Sequence, residues 1–115
     1  MLNPRELEIL NILWGTNRPL TGMDIIMRGN RLPEPTVMCV LKKLLELKLV
    51  EVVGKEYSGG KYARTYRPTV KSKVHVLSQI LDFQESVNNI VSTDDVISLM
   101  IEKEAKEARA DENNI

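Results

Sequence analysis

The stretch from Pro35 to Val50, PTVMCVLKKLLELKLV, admits little other than an amphipathic helix running straight into a strand. Val37, Val40, Leu41, Leu44 and Leu47 recur at helical spacing and form an apolar face. Thr36, Cys39, Lys42, Lys43 and Glu46 lie largely off it. A valine-rich strand is expected over about residues 49–55 and a turn over 56–61 holding Gly59 and Gly60. A return strand should run over 62–67, ended by Pro68, which cannot donate to a ladder.

Two shorter helices precede this unit. In the first, Asn3 caps, Pro4 takes the first helical position and Glu6 stands three residues after the cap. Leu2 and Leu7 then occupy the two positions of a hydrophobic staple. Leu7, Leu10, Leu13 and Trp14 are expected to face the core, and Gly15 to Pro19 ends the helix. In the second, Thr21 caps with Asp24 three residues later, and Leu20 and Ile25 make the staple. Ile25 and Ile26 should bury, and Gly29 with Asn30 stops the helix.

Beyond Pro68 the composition changes. Val74, Leu77, Ile80, Leu81, Phe83 and Val87 give a helix over about 71–88 with a wide apolar face, broken at Asn88 and Asn89. Ser92 and Asp95 form a third capping box. The last helix carries Val96, Ile97, Leu99, Met100 and Ile101, then turns polar, with fraying expected from about Arg109. Such faces need a partner, and pairing with a second copy is the favoured solution. The dimerisation residues are then Val74, Leu77, Ile80, Leu81, Val96, Ile97, Met100 and Ile101.

Two short helices, a third helix and a hairpin make a winged helix-turn-helix over residues 1–69, mainly α with a small β-hairpin, followed by a helical dimerisation region over 70–115. Total charge is balanced, 16 basic against 16 acidic side chains, but unevenly distributed. Residues 1–70 hold 11 basic and 7 acidic groups, residues 71–115 hold 5 and 9. The basic head suits nucleic acid. The single cysteine, Cys39, forms no internal disulfide and builds no metal site alone. No apolar run approaches the ~18 residues of a membrane span. No secretion signal is read, so a cytoplasmic protein is expected. The sole histidine, His75, has no nucleophile or carboxylate set placed by a motif beside it, and Gly59–Gly60 lies between strands rather than before a helix, so neither an enzyme nor a cofactor is expected.

The segments NPRELEILNILW, PLTGMDII, PTVMCVLKKLLELKLVEVV and GGKYARTYRP, taken in order, resemble the penicillinase-repressor family of bacterial winged-helix transcriptional regulators. The resemblance covers about residues 3–70 and continues more weakly through the tail. It implies a homodimeric repressor on an inverted-repeat operator, with the third helix in the major groove and the wing on the backbone. It also implies a membrane sensor-protease as partner, which relieves repression by cutting the tail; Val96 to Ile101 is the matching region. Where the family usually has a second threonine, an arginine and a helix-closing glycine, this chain has Cys39, Lys43 and Lys48. Lysine for arginine removes a bidentate fork. Copper-responsive relatives carry paired tail cysteines, and this tail has none.

By resemblance and helix geometry, the DNA-contacting set is Pro35, Thr36, Met38, Cys39, Lys42 and Lys43, with Lys61 and Arg64 on the wing. Tyr66 matches the family's wing tyrosine and is expected in the core. The competing reading is a winged helix used for protein–protein interaction, because Glu34, Glu46, Glu51 and Glu56 interrupt the positive face.

Overall fold

The computed structural model describes residues 1–113. Its elements are α1 (Pro4–Trp14), β1 (Leu20–Thr21), α2 (Gly22–Arg28), α3 (Glu34–Glu46), β2 (Val50–Ser58), β3 (Lys61–Pro68), α4 (Val70–Ser86) and α5 (Thr93–Asn113). They form two compact units, Met1–Leu77 and Ser78–Ile115.

In the first unit the caps expected from the sequence are made. Asn3 and Glu6 exchange backbone N–H groups at the start of α1, and Thr21 and Asp24 do the same at α2. The Asp24 carboxyl is held below its ordinary value by the backbone N–H of Thr21, against a smaller upward push from burial, with help from the Thr21 hydroxyl and Arg18. The core gathers Ile9, Leu10 and Leu13 of α1, Ile25 of α2, and Val37, Val40, Leu41 and Leu44 of α3, closed by Leu49, Val50 and Tyr66. Leu2 buries ahead of α1 and Leu7 packs partly on the core, as the staple requires.

The sheet has three strands in the order β1–β3–β2, all antiparallel. The short β1 had no signature in the sequence: it is two residues long, pairs Leu20 with Tyr66 and Thr21 with Thr65, and its second residue also caps α2. The wing differs from expectation as well. β2 continues to Ser58, so the turn is only Gly59–Gly60, at φ 62° and 85°. Two residues at positive φ are what the tight hairpin turn demands, and glycine adopts that region at least cost. A bulge between Val52 and Gly54 adds twist to the ribbon.

α3 ends in a Schellman motif. The N–H of Lys48 reaches the Leu45 carbonyl at 3.0 Å and that of Leu49 reaches Leu44 at 2.9 Å. The motif places Lys48 in the left-handed region, φ 61°, normally left to glycine. Leu47, expected on the apolar face, sits at this turn and is partly exposed.

Trp14 is not a core residue. It is 44% exposed, and its indole Nε1–H donates to the buried hydroxyl of Ser72 at 2.9 Å. Ser72 in turn donates to the Thr69 carbonyl at 2.7 Å, and the Lys73 ammonium lies 5.6 Å from the Trp14 ring centroid. Nearby, Thr69 Oγ1 donates to Lys48 O and Lys71 Nζ to Leu47 O. The first turn of α4 is thus fastened to the ends of α1 and α3.

In the second unit, Ser92 and Asp95 make the third capping box, which lowers the Asp95 carboxyl below its ordinary value. Gln84 Nε2 donates to the Val91 carbonyl across the loop. α5 continues to Asn113, past the point near Arg109 where fraying was expected.

Candidate nucleic-acid interface

One stripe of α3 points away from the core because that core takes Val37, Val40, Leu41 and Leu44. At one hundred degrees per residue, Pro35, Cys39, Lys42 and Glu46 fall on the opposite side, and all four are exposed. Met38 flanks the stripe on the side of α2 and the wing. Its thioether packs so close to Gly22 that a Cβ there would lie 3.2 Å from the sulfur, yet it is half exposed. Met38 is therefore both packing and surface. Thr36 lies on the other edge, partly buried, in the first turn. Pro33 precedes α3 without a side-chain cap, so unlike α1 and α2 this helix keeps its first N–H groups uncapped. Thr36 is not a capping residue.

A cleft of about 540 Å³ separates the start of α3 from the wing. Met23, Ile26 and Met38 line one wall, and Ala63 and Tyr66 the other. Lys61 and Arg64 line it too, together with one acid, Glu34. The structure thus brings Met38, Lys61 and Arg64 to one opening.

Lys43 stands apart from this group. Its Nζ lies 2.6 Å from Oε2 of Glu6, a carboxylate only 2% exposed. The other oxygen, Oε1, accepts the Asn3 N–H at 2.8 Å. Burial pushes the Glu6 carboxyl up. The Lys43 hydrogen bond, the Asn3 N–H and the charge of Lys43 outweigh it, and the net position is below the ordinary value. This ion pair joins α3 to α1 and directs Lys43 to the α1 edge. The capping pattern disclosed Glu6 but not its second partner.

Two of the acids that interrupt the positive charge have an arginine beside them, although Arg18 is shared with Asp24. Glu51 pairs with Arg67, and Glu56 lies 4.0 Å from Arg18. Among the described residues, Lys42, Lys61 and Arg64 are in no ion pair. Cys39 is a free, exposed thiol. No group of three or more His, Cys, Asp or Glu among the described residues is placed to hold a metal ion. No helix of the described residues is long and apolar enough to cross a membrane.

Of the eight apolar residues expected at a dimer contact, Val96 is partly buried and the other seven are exposed. Val74, Leu77 and Leu81 recur at spacings of three and four along α4, and Ile97, Met100 and Ile101 along α5.

Several solved structures share this fold. BpsR from Bordetella bronchiseptica, whose DNA binding is regulated by 6-hydroxynicotinic acid, is 14% identical with a TM-score of 0.53, over 93% of this chain and 76% of that one. AF1382 from Archaeoglobus fulgidus is 26% identical with a TM-score of 0.52, over 74% of this chain and 92% of that one. ZitR from Lactococcus lactis, solved in complex with DNA, is 20% identical with a TM-score of 0.50, over 93% and 75%. These likenesses establish the winged-helix architecture. No functionally curated protein matches the sequence. The family model described as penicillinase repressor, however, matches residues 2–115. With the head, wing and tail in place over that whole span, the chain belongs to the penicillinase repressor family, and it is a DNA-binding transcriptional repressor rather than an enzyme.

Proposed function

We propose that the protein represses transcription as a homodimer on an inverted-repeat operator. α3 of each copy enters the major groove of a half-site, presenting Pro35, Thr36, Met38, Cys39 and Lys42, and the wing sets Lys61 and Arg64 against the adjacent phosphates. The observation that carries this reading is that Lys61 and Arg64 on the cleft, and Lys42 on the outward stripe of α3, are in no ion pair among the described residues, while Glu51 pairs with Arg67 and Glu56 lies 4.0 Å from Arg18. It favours DNA over a protein partner, because among the described residues the free cations outnumber the acids left without a cation, Glu34 and Glu46, and Glu51 and Glu56 each have an arginine beside them.

In this reading residues 1–69 are the DNA-binding head and 70–115 the dimerisation region. The exposed apolar rows of α4 and α5 meet a second copy, so that two heads address two half-sites. Release by a membrane sensor-protease cutting within residues 96–101 belongs to the same reading, since a cut there divides the apolar row of α5.

Selection of bound sequences from random duplex DNA tests it, run with the wild type and with Lys42→Ala/Arg64→Ala. An enriched palindrome, lost in the double variant, is expected. Enrichment of a single unrepeated half-site would refute the dimer. Binding without enrichment, abolished by moderate salt, would refute sequence-specific repression.

A further inference from the structure

Tyr57 and Tyr62 face each other across the wing as register partners, with ring centroids 5.3 Å apart and planes at 70°. They are 63% and 70% exposed, the two most exposed aromatic side chains on the ribbon. The same register pairs Lys55 with Arg64, one step of the pleat away, so all four residues share one face of the hairpin. The Lys55 ammonium sits 5.9 Å from the Tyr62 centroid. Glu56, the acid between them in sequence, belongs to the opposite face with Ala63, where it approaches Arg18.

An edge-to-face cross-strand pair of rings steadies a ribbon, but here both rings also leave most of their surface in water. The pair exceeds what the hairpin needs, because Gly59–Gly60 and the ladder already fix the register. What distinguishes this face is the combination: two amphipathic rings beside two cations one rung away, with no acid of the hairpin on the same side. Deoxyribose offers apolar C–H surface and the flanking phosphates offer anionic oxygens. A ring can lie on the sugar while its hydroxyl and the neighbouring ammonium or guanidinium reach phosphate.

We propose that Tyr57 and Tyr62 are a DNA-contacting element of the wing, packing against the sugar–phosphate strand beside the half-site. This rests on the DNA-binding reading above and adds a contact that is apolar in character and independent of salt. Lys55 and Arg64 supply the salt-dependent part of the same contact, each steepening the log–log salt slope by about 0.9 if it neutralises one phosphate. The rings contribute nothing to that slope.

The test uses the full chain and the duplex enriched in the selection, with affinity measured across a range of salt concentrations. Tyr57→Val/Tyr62→Val keeps β-branched partners on the ladder and removes the rings. We expect binding roughly tenfold weaker, the loss of about 55 Å² of apolar contact, at an unchanged salt slope. Tyr57→Phe/Tyr62→Phe should bind within about threefold of wild type, since the rings remain. A second measurement needs no variant. The chain has three tyrosines, and Tyr66 is buried, so nitration of the free protein should modify Tyr57 and Tyr62 only. Saturating duplex should protect both. Unchanged affinity in the valine variant, or undiminished nitration in the complex, overturns the proposal while the DNA-binding reading stands. A wild-type chain that binds no duplex at all removes that reading, and this proposal with it.

Discussion

Lys42 and Lys43 are adjacent, both basic and both off the apolar face of α3, yet their alanine variants should fail in different ways. Lys43→Ala removes the ammonium 2.6 Å from Glu6 and leaves a carboxylate that is only 2% exposed without its counter-ion. Stranding one member of a fully buried pair costs about 3–5 kcal/mol. The Lys43 side chain is 51% exposed, so water already screens the attraction, and the loss should be about 2 kcal/mol. Lys42 has no ion pair among the described residues, and Lys42→Ala should change stability by less than about 0.5 kcal/mol. On DNA the pattern inverts. Lys42→Ala should flatten the salt slope by about 0.9, the signature of one lost phosphate contact, whereas Lys43→Ala should leave the slope unchanged.

The assay is urea unfolding of each variant beside a salt titration of duplex binding. Acid adds an internal check on the cause. In the wild type the Glu6 carboxyl is depressed, so its contribution is complete above the unfolded value of about 4.3 and disappears as pH falls through the lower folded value. Without Lys43, two of the causes that hold the carboxyl down are gone, and it rises from its wild-type position. Its protonation then relieves the variant, so the stability gap should narrow as pH drops below the raised value. Adding Glu6→Gln, which can still accept the Asn3 N–H, should recover much of the loss at neutral pH. A Lys43→Ala protein as stable as wild type, with a flattened salt slope, would refute the argument and return Lys43 to the DNA face.

Lys48→Gly should stabilise the protein by about 1 kcal/mol, since a left-handed side chain costs about 1–2 kcal/mol and glycine gives part of that back in unfolded-state entropy. Thermal melting should show a rise of several degrees, and Lys48→Ala, which keeps the strain, should show none; an equal rise in both would locate the effect in the lysine charge. Ser72→Ala removes the acceptor of the Trp14 indole and should cost about 1 kcal/mol, with a shift in tryptophan fluorescence from the chain's single tryptophan. Acidification should weaken the wild-type head below about pH 4, because Glu6 and Asp24 are both depressed and must take up protons to unfold; a stability constant down to about pH 2 would contradict this. Ile80→Asp/Leu81→Asp should reduce the proposed dimer to monomer in sedimentation equilibrium and leave the urea midpoint of the head unchanged.

What the sequence made legible was local. All three capping boxes lie within four consecutive residues, and each forms as written. The apolar faces of α2 and α3 follow from spacing within one helix, and the substitution at Lys48 marks a position whose backbone does take glycine's conformation. What stayed hidden depends on pairs distant in the chain. Trp14 at the end of an apolar row looks like core, and only its partner Ser72, 58 residues on, explains why it stands half exposed. β1 is too short for any periodicity to register, and its pairing with β3 spans more than forty residues. The wing reaches Ser58 because its ladder continues through Glu56–Ala63 and Tyr57–Tyr62 to Ser58–Lys61, a relation that neither strand carries alone.

Lys43 shows why such misses gather at a functional surface. A basic residue on an outward helix face is consistent with a phosphate contact and with an ion pair alike, and the deciding fact is whether an acid lies within reach. Glu6 seemed accounted for by the capping box, which uses only one of its two oxygens. The second oxygen was free to take a cation from another helix, and it took the one that α3 turns toward α1. On the proposed reading the cations left for DNA are those in no ion pair among the described residues: Lys42, Lys61 and Arg64, with Lys55 against the tyrosines of the wing. In that reading the DNA face depends as much on which acids hold a cation of their own, as Glu6 holds Lys43, as on where the bases point.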